Sequence, residues 1–463
     1  MTDDKHGLPP VSDEQKEELY IYSLKRMAEH NLNENLTYMT QLYNLRAFHY
    51  KSGENMRNNP DKKFALLVLD LANFKSLNEF CGRDTGDSML IYIADILRGY
   101  MSQSDLVVTC HFRADNFALL TPFNETSELE AIAQDITAKI AAFRIPFKVL
   151  PAIGICVASS PDMPPSIMRD YATMALQTIK GKFYATYAFF DESMRKQMLM
   201  EKLIENDILE ALNTKQLQTY IQPKVDMKTG KIIGGEALVR WNHPDLGLIA
   251  PARFIPVLEK NGLVIDVDTY IWTQVFDWLG ERLEDQKPVV PISINISRVH
   301  CYDTPFKEKL VQLSDEYHVP PSLVPLELTE SSFQNNSDGM FASLKYLKEQ
   351  GFTLSMDDFG TGYSTMTMLK DQPVDEIKID KGFIDEIADE KEQVIVSNIV
   401  QMLKSLNKSI IIEGVETEEQ KEFMLKQDCV HAQGFLYYKP MPIREFEHLL
   451  DQSSADTEKQ NTK

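Results

Sequence analysis

From about residue 215 the chain alternates short apolar segments with longer helical ones, and this alternation restricts the fold more than any other feature. Strands are predicted at 217–225, 232–238, 292–296, 326–328, 353–356, 377–379 and 410–412, with helical stretches such as EQVIVSNIVQMLKSLN between them. Strand–helix repetition places helices over the faces of a largely parallel sheet. A unit of about 250 residues with this pattern fits a (β/α)8 TIM-like barrel. An open doubly wound sheet fits less well, because the G-x-G-x-x-G turn that binds phosphate there is absent.

The residues that close these apolar segments are chemically unusual. IIGG leads to Glu236, ISI to Asn295, VPL to Glu327, TLSM to Asp357 and Asp358, DEI to Lys378 and SIII to Glu413. In a parallel barrel such strand ends meet on one face, where barrel enzymes place their active sites. Carboxylate and amide oxygens converging there suit Mg²⁺ or Mn²⁺. Adjacent Asp357 and Asp358 repel unless a cation or proton neutralises them. Two divalent ions ~3.5–4 Å apart would do so and are the arrangement that hydrolyses phosphodiesters. Lys378 would then orient the attacking water or meet charge developing on phosphorus. Taken singly these residues say little. A Glu-Ala-Leu triplet arises by chance in helices, Asn295 and Glu327 read equally well as caps, and the Asp-Phe-Gly at 358–360 lacks the catalytic loop of a kinase. The succession of polar groups at strand ends is what packing does not explain.

The first half reads differently. FALLVLDL at 64–71 is a short apolar run, followed by a helical stretch and then by CHFRADNFALL and PAIGICVA, the pattern of an α+β domain that closes near YAFFDES at 187–193. The expected organisation is a helical and polar segment over 1–34, an α+β domain over 35–193, the barrel over 194–450 and a disordered polar tail over 451–463. A formal net charge of -21 argues against binding to DNA or RNA backbones. No run of ~18 apolar residues is available to span a membrane. The acidic start MTDDKHGLPP lacks the basic and apolar regions of a signal peptide, so a cytoplasmic protein is expected. Five scattered cysteines without a Cys-x-x-Cys pair are expected to be reduced packing residues.

GEALVRW at 235–241, INIS at 294–297, LELTE at 326–330, DDFGTGYS at 357–364, IKIDKGFI at 377–384, IEGVET at 412–417 and QGF at 433–435 occur in the order found in the EAL-domain cyclic-di-GMP phosphodiesterases, which the chain resembles over about 200–448. The resemblance implies hydrolysis of cyclic di-GMP to linear pGpG with two Mg²⁺ or Mn²⁺ ions. It assigns Glu236, Asn295, Glu327 and Asp357 to one metal, and Asp357 and Asp358 to the other. Lys378 would contact the nucleophilic water, and Glu413 would position water and act as base. Gln222 and Gln433 would support substrate or water, and Arg240 would grip a substrate phosphate. Glu330 would anchor the 357–364 loop, which in this family couples dimerisation to metal and substrate binding, so a homodimer is expected. None of these positions is substituted, which favours an enzyme over the alternative, a silent cyclic-di-GMP receptor.

MTQLYNLRAF at 39–48 and LDLANFKSLNEFCGRDTGDSML at 69–90 resemble the GGDEF diguanylate-cyclase family. There Asp70 falls on a metal position, Lys75 on a phosphate contact, and Asn78 and Asp87 on guanine-reading positions. The signature itself is degraded: RADNF at 113–117 stands for G-G-D/E-E-F. Arg113 and Ala114 add side chains where a turn must let a nucleotide approach, and Asn116 replaces an acid of the metal site. Cyclase activity is not expected. Two readings remain open, a regulatory unit that still takes GTP and a packing or dimerisation scaffold.

Overall fold

The computed structural model describes residues 35–145, 149–182, 185–301, 305–334, 338–360 and 372–461. The chain divides into two compact units, with the boundary in sequence between Met200 and Glu201. The helix expected before residue 35 lies outside the described residues.

The first unit is built on β1 (Lys63–Leu71), whose residues from Phe64 onward are all buried. A strand apolar on both faces must be covered on both, and it is. Leu67 and Leu69 meet Met89, Ile93 and Leu97 of α3 (Arg83–Met101) and Leu129, Ala133 and Ile136 of α4 (Thr126–Ala141). Leu66 and Val68, on the opposite face, meet Phe48 and Met56 of α1 (Leu45–Asn58) and Met168, Ala172 and Leu176 of α5 (Pro165–Ile179). The short α2 (Phe74–Cys81) follows β1 directly. The sheet order is β2 (Val108–Arg113), β3 (Asn116–Phe123), β1, β4 (Pro151–Val157), β5 (Tyr187–Phe189), antiparallel except for the β4–β5 pair. Helix α5 lies directly on β4 at Gly154, where a Cβ would fall 1.8 Å from the Ala172 carbonyl oxygen.

Helix α6 (Glu192–Asn213) leads into a closed eight-stranded barrel. Its strands are β6 (Leu217–Asp226), β7 (Ile232–His243), β9 (Ile292–Asn295), β10 (Leu326–Thr329), β11 (Leu354–Phe359), β12 (Glu376–Ile379), β13 (Ser409–Ile412) and β14 (His431–Ala432). β8 (Gly247–Ile249) and β15 (Met441–Pro442) add to its edges. Helices α7 (Pro251–Asn261), α8 (Val264–Glu284), α9 (Phe306–Glu316), α10 (Glu330–Gln334), α11 (Asp338–Glu349), α12 (Glu390–Ser405) and α13 (Glu418–Lys426) follow the strands. Ile271, Val275, Phe276 and Leu279 of α8 exemplify the apolar layer between helices and sheet.

The barrel differs from the expected all-parallel form at one strand. β6 is antiparallel to both β7 and β14, because only a tight turn joins it to β7, too short for the crossover that parallel strands need. That turn is written in DMKTGK: the Asp226 carboxylate accepts from the Lys228 and Thr229 amides, and Gly230 takes φ +72°. The eighth strand, β14, has two residues and was not predicted, since two residues show no period. β7 runs on to His243 rather than ending at 238, because its second half pairs with β6 and β8. The tail expected to be disordered from 451 instead continues α14 (Ile443–Asn461). No Gly or Pro interrupts that stretch, and buried Arg282 ties its first turns down through Glu447 and Asp451.

Candidate active site in the barrel

Residues two apart on a strand share a face, and the set facing the barrel interior is polar. Gln222 and Lys224 on β6 stand in register with Glu236 and Gly234 on β7. Ser293 and Asn295 follow on β9, Glu327 on β10, Ser355 and Asp357 on β11, Glu376 and Lys378 on β12, and Glu413 just past β13. Lys378 is fully buried, and its ammonium is 2.7 Å from Glu413, 2.8 Å from Glu327, 3.0 Å from Asp357 and 3.1 Å from Glu236. Glu236 also accepts from the Asn295 amide at 3.2 Å and from the Gln433 amide at 2.7 Å. Gln433 donates to Gln222 at 3.0 Å, and Gln222 in turn donates to the Tyr438 carbonyl. Sequence positions up to 216 residues apart thus form one hydrogen-bonded cluster.

Backbone geometry sets the acidic pair. The β11–β12 register shifts between Met356 and Phe359, and Asp358 takes φ +55°, so the two aspartates do not simply alternate. The Asp358 amide donates to the Asp357 carboxylate at 3.0 Å. Next to it Gly360, at φ +97°, leaves room for the Phe383 ring that a Cβ would strike. Its amide donates to buried Glu330 at 2.9 Å, which ties the start of the loop down. The loop is described only through Gly360, so its expected coupling to dimerisation falls on residues outside the described ones. Arg240, four residues beyond Glu236, is half-buried with its guanidinium over the Tyr220 ring.

The electrostatics are uneven. Burial pushes the Glu413 carboxyl up to about 8, with Asp357 and Glu236 adding and Lys378 opposing. Burial and neighbouring acids likewise raise Glu236, Asp357 and Asp358. Burial would raise Glu327 too, but Lys224 and Lys378 outweigh it and hold that carboxyl down at about 2. Burial disfavours the Lys378 ammonium, yet the surrounding acids raise its pKa well above the ordinary value.

These donors fit a divalent cation. Glu236, Glu327 and Asp357 offer oxygens within 4.8 Å of one another, as do Asp357, Asp358 and Glu413, so two ligand groups share Asp357. Carboxylates crowded enough to raise one another's pKa gain from a hard cation. The buried Gln433 Oε1 has no hydrogen-bond partner, an orphaned acceptor on a side chain whose amide donates into the same cluster. Beside Glu236 and Asn295 opens a cavity of about 360 Å³ with an apolar wall of Leu238, Pro251, Ile255 and Trp272.

Lys224 was missed at the sequence level. It is 4% exposed and donates to Glu327 at 2.7 Å. Its signal was a charge inside the apolar strand IQPKV, two residues from Gln222 and so on the same face.

In the first unit the cyclase-like positions gather only in part. Asp70 is buried at the end of β1, and one of its oxygens accepts from Lys180 at 2.8 Å and from the Asn116 amide at 3.1 Å. Lys180 was also missed. Burial and neighbouring Asp70 push Asp115 up. The β2–β3 turn carries Ala114 at φ +41°, the left-handed conformation that glycine would adopt without strain. Lys75 is exposed and paired with Glu79, Asn78 fills the space over Gly86, and Asp87 is exposed on α3.

A closed barrel with converging carboxylates and a buried lysine defines a class of barrel proteins with an acidic cluster suited to a divalent cation. The EAL domain family matches residues 205–440, and the diguanylate cyclase, GGDEF domain family matches 36–182. The chain belongs to the EAL family, with a GGDEF domain before its EAL domain. It is 33% identical over 390 residues to the bifunctional diguanylate cyclase/cyclic di-GMP phosphodiesterase MucR of Pseudomonas aeruginosa, covering 83% of this chain and 57% of that one. It is 28% identical over 435 residues to the cyclic di-GMP phosphodiesterase NbdA of the same organism, covering 92% and 54%. The chain therefore spans little more than half the length of these relatives. Among solved structures, the PaMucR phosphodiesterase in complex with c-di-GMP is 37% identical with a TM-score of 0.51, covering 53% of this chain and 99% of that one. Among the described residues, no helix is long and apolar enough to cross a membrane.

Proposed function

We propose that the barrel hydrolyses cyclic di-GMP to linear pGpG with Mg²⁺ or Mn²⁺, and that the GGDEF unit regulates or supports it rather than cyclising GTP. The observation that carries this reading is the convergence of Glu236, Glu327, Asp357 and Glu413 on the one ammonium of Lys378. Acids in that excess leave a net negative site suited to divalent cations, and the activities named for MucR and NbdA agree with it.

Glu236, Asn295, Glu327 and Asp357 would hold one cation, and Asp357 and Asp358 the second. Bound cations supply charge neutralisation at phosphorus and acidify water. Glu413, with a carboxyl near neutral pKa, takes the proton of the attacking water. Lys378 orients that water, and the free Gln433 oxygen accepts from it while Gln222 holds Gln433 in place. Arg240 binds a phosphate, and the apolar cavity takes a guanine face. The water oxygen bonds to phosphorus as the bond to the ribose 3′ oxygen breaks, that oxygen takes a proton from solvent to become a hydroxyl, and Glu413 returns its proton to solvent. Pairing of two chains through the segment that Glu330 anchors, and GTP as a regulator near Asp70, Asn78 and Asp87, belong to the same proposal.

The test is a product assay on the purified chain with cyclic di-GMP and Mg²⁺ or Mn²⁺, beside Asp357→Ala and a sample containing GTP. Metal-dependent pGpG that is lost in the variant supports the enzyme, and stimulation by GTP supports a regulatory first unit. Tight binding without turnover under either metal overturns the enzyme in favour of a receptor.

A further inference from the structure

Glu327 is held by two ammonium groups, one on each carboxylate oxygen. Lys378 lies 2.8 Å from Oε2, and Lys224 lies 2.7 Å from Oε1. The surroundings of the two lysines differ. Lys378 stands among Glu236, Glu327, Asp357 and Glu413, the donors a cation would recruit. Lys224 instead donates to Ser293 Oγ at 2.9 Å and lies 3.9 Å from Glu376, which accepts from Ser355. A cation entering the cluster competes with Lys378 for the same oxygens. It meets Lys224 at none but Glu327.

We propose that Lys224 is a positioning residue, the standing partner of Glu327 that pins Oε1 so that Oε2 passes from Lys378 to a divalent cation without the carboxylate turning. The proposal rests on reading the barrel as a divalent-cation site. It has a consequence of definite sign. Coulomb repulsion alone makes Lys224 a hindrance to a nearby cation, so its removal would tighten binding. If instead Lys224 holds the ligand in place, its removal weakens binding, as loss of an outer partner of a metal ligand commonly does by roughly 10–100-fold.

The experiment is Mn²⁺ titration of the full chain, followed by electron paramagnetic resonance, for the wild type, Lys224→Met and Lys224→Arg, with circular dichroism to confirm folding. The expected result is Mn²⁺ affinity at least about 10-fold weaker in Lys224→Met and largely restored in Lys224→Arg, which keeps a charged donor. Should Lys224→Met not fold, Lys224→Gln takes its place, with the same weakening expected. Equal or tighter binding in either folded neutral variant overturns the role of Lys224 and leaves the cation site standing. A wild type that binds no Mn²⁺ overturns the cation reading, and this inference with it.

Discussion

Lys180 places its ammonium 2.8 Å from the Asp70 carboxylate, and the Asn116 amide donates to the same oxygen at 3.1 Å. The first unit thus brings its own cation to Asp70, the position that the resemblance to cyclases assigns to a metal. The side chain of Asn116 adds a second donor to that oxygen and not the negative charge that Mg²⁺ needs. Incubation of the purified chain with GTP and either Mg²⁺ or Mn²⁺ should yield no cyclic di-GMP by chromatography, and its appearance would refute this account of Asp70.

Asp357 belongs to both ligand groups of the barrel, so one substitution strikes both. Asp357→Asn keeps the shape and removes the charge. Turnover of cyclic di-GMP should fall by more than the roughly 10–100-fold that loss of an outer partner costs, while circular dichroism stays unchanged. A variant within a few fold of wild type would exclude Asp357 from the chemistry.

The carboxyl of Glu413 sits high in the folded protein, at about 8, and near its ordinary value when unfolded. A raised folded pKa means stability that is full at acid pH and lost as pH rises through about 8. A bound cation competes with that proton and restores what ionisation removes. Thermal melting with and without Mg²⁺ should therefore show a larger metal-induced rise at pH 8 than at pH 6. An equal rise at both would contradict the proposed crowding.

His49 behaves in the opposite sense. Burial, helped by Arg169, lowers its pKa to about 4, and its Nε2 has no partner. A depressed histidine favours the neutral fold, so its contribution is present above pH 6.5 and is lost as pH falls through about 4. The loss approaches about 3 kcal/mol at pH 4. Urea melts of wild type and His49→Gln, compared at pH 7 and pH 4.5, should show the variant losing less on acidification. Parallel losses would mean that His49 is not the sensitive group.

At Gly154 a methyl group would meet the Ala172 oxygen at 1.8 Å and the Leu176 nitrogen at 2.7 Å, both backbone atoms that cannot swing aside. Gly154→Ala should destabilise the first unit by roughly 2–3 kcal/mol. The unfolding transition of that unit, followed by proteolysis or calorimetry, should move down by several degrees. An unchanged transition would show that α5 yields easily.

The barrel class and most of its acids were legible because both depend on local pattern. Short apolar runs ending in a polar residue mark strand ends whatever the rest of the chain does, and Asn295, Asp357 and Glu413 were readable on that basis. Strand boundaries that depend on partners were not. β14 exists only because Ala432 pairs with Val225 on one side and Ile412 on the other, and β7 outran its prediction because β6 and β8 extend it. The reversed direction of β6 had a local signature in its turn, but an alternation of apolar segments does not report direction.

What the sequence alone determined was therefore the kind of residue at each strand end, a matter of one- and two-residue periods. What only the tertiary structure decided was who faces whom. Lys224 and Glu327 are 103 positions apart, and Lys180 and Asp70 are 110 apart. Closing a barrel or packing a helix against a strand end is what brings each pair within hydrogen-bonding distance. Burial then turns those encounters into chemistry, because charges removed from water interact strongly with the few neighbours they have.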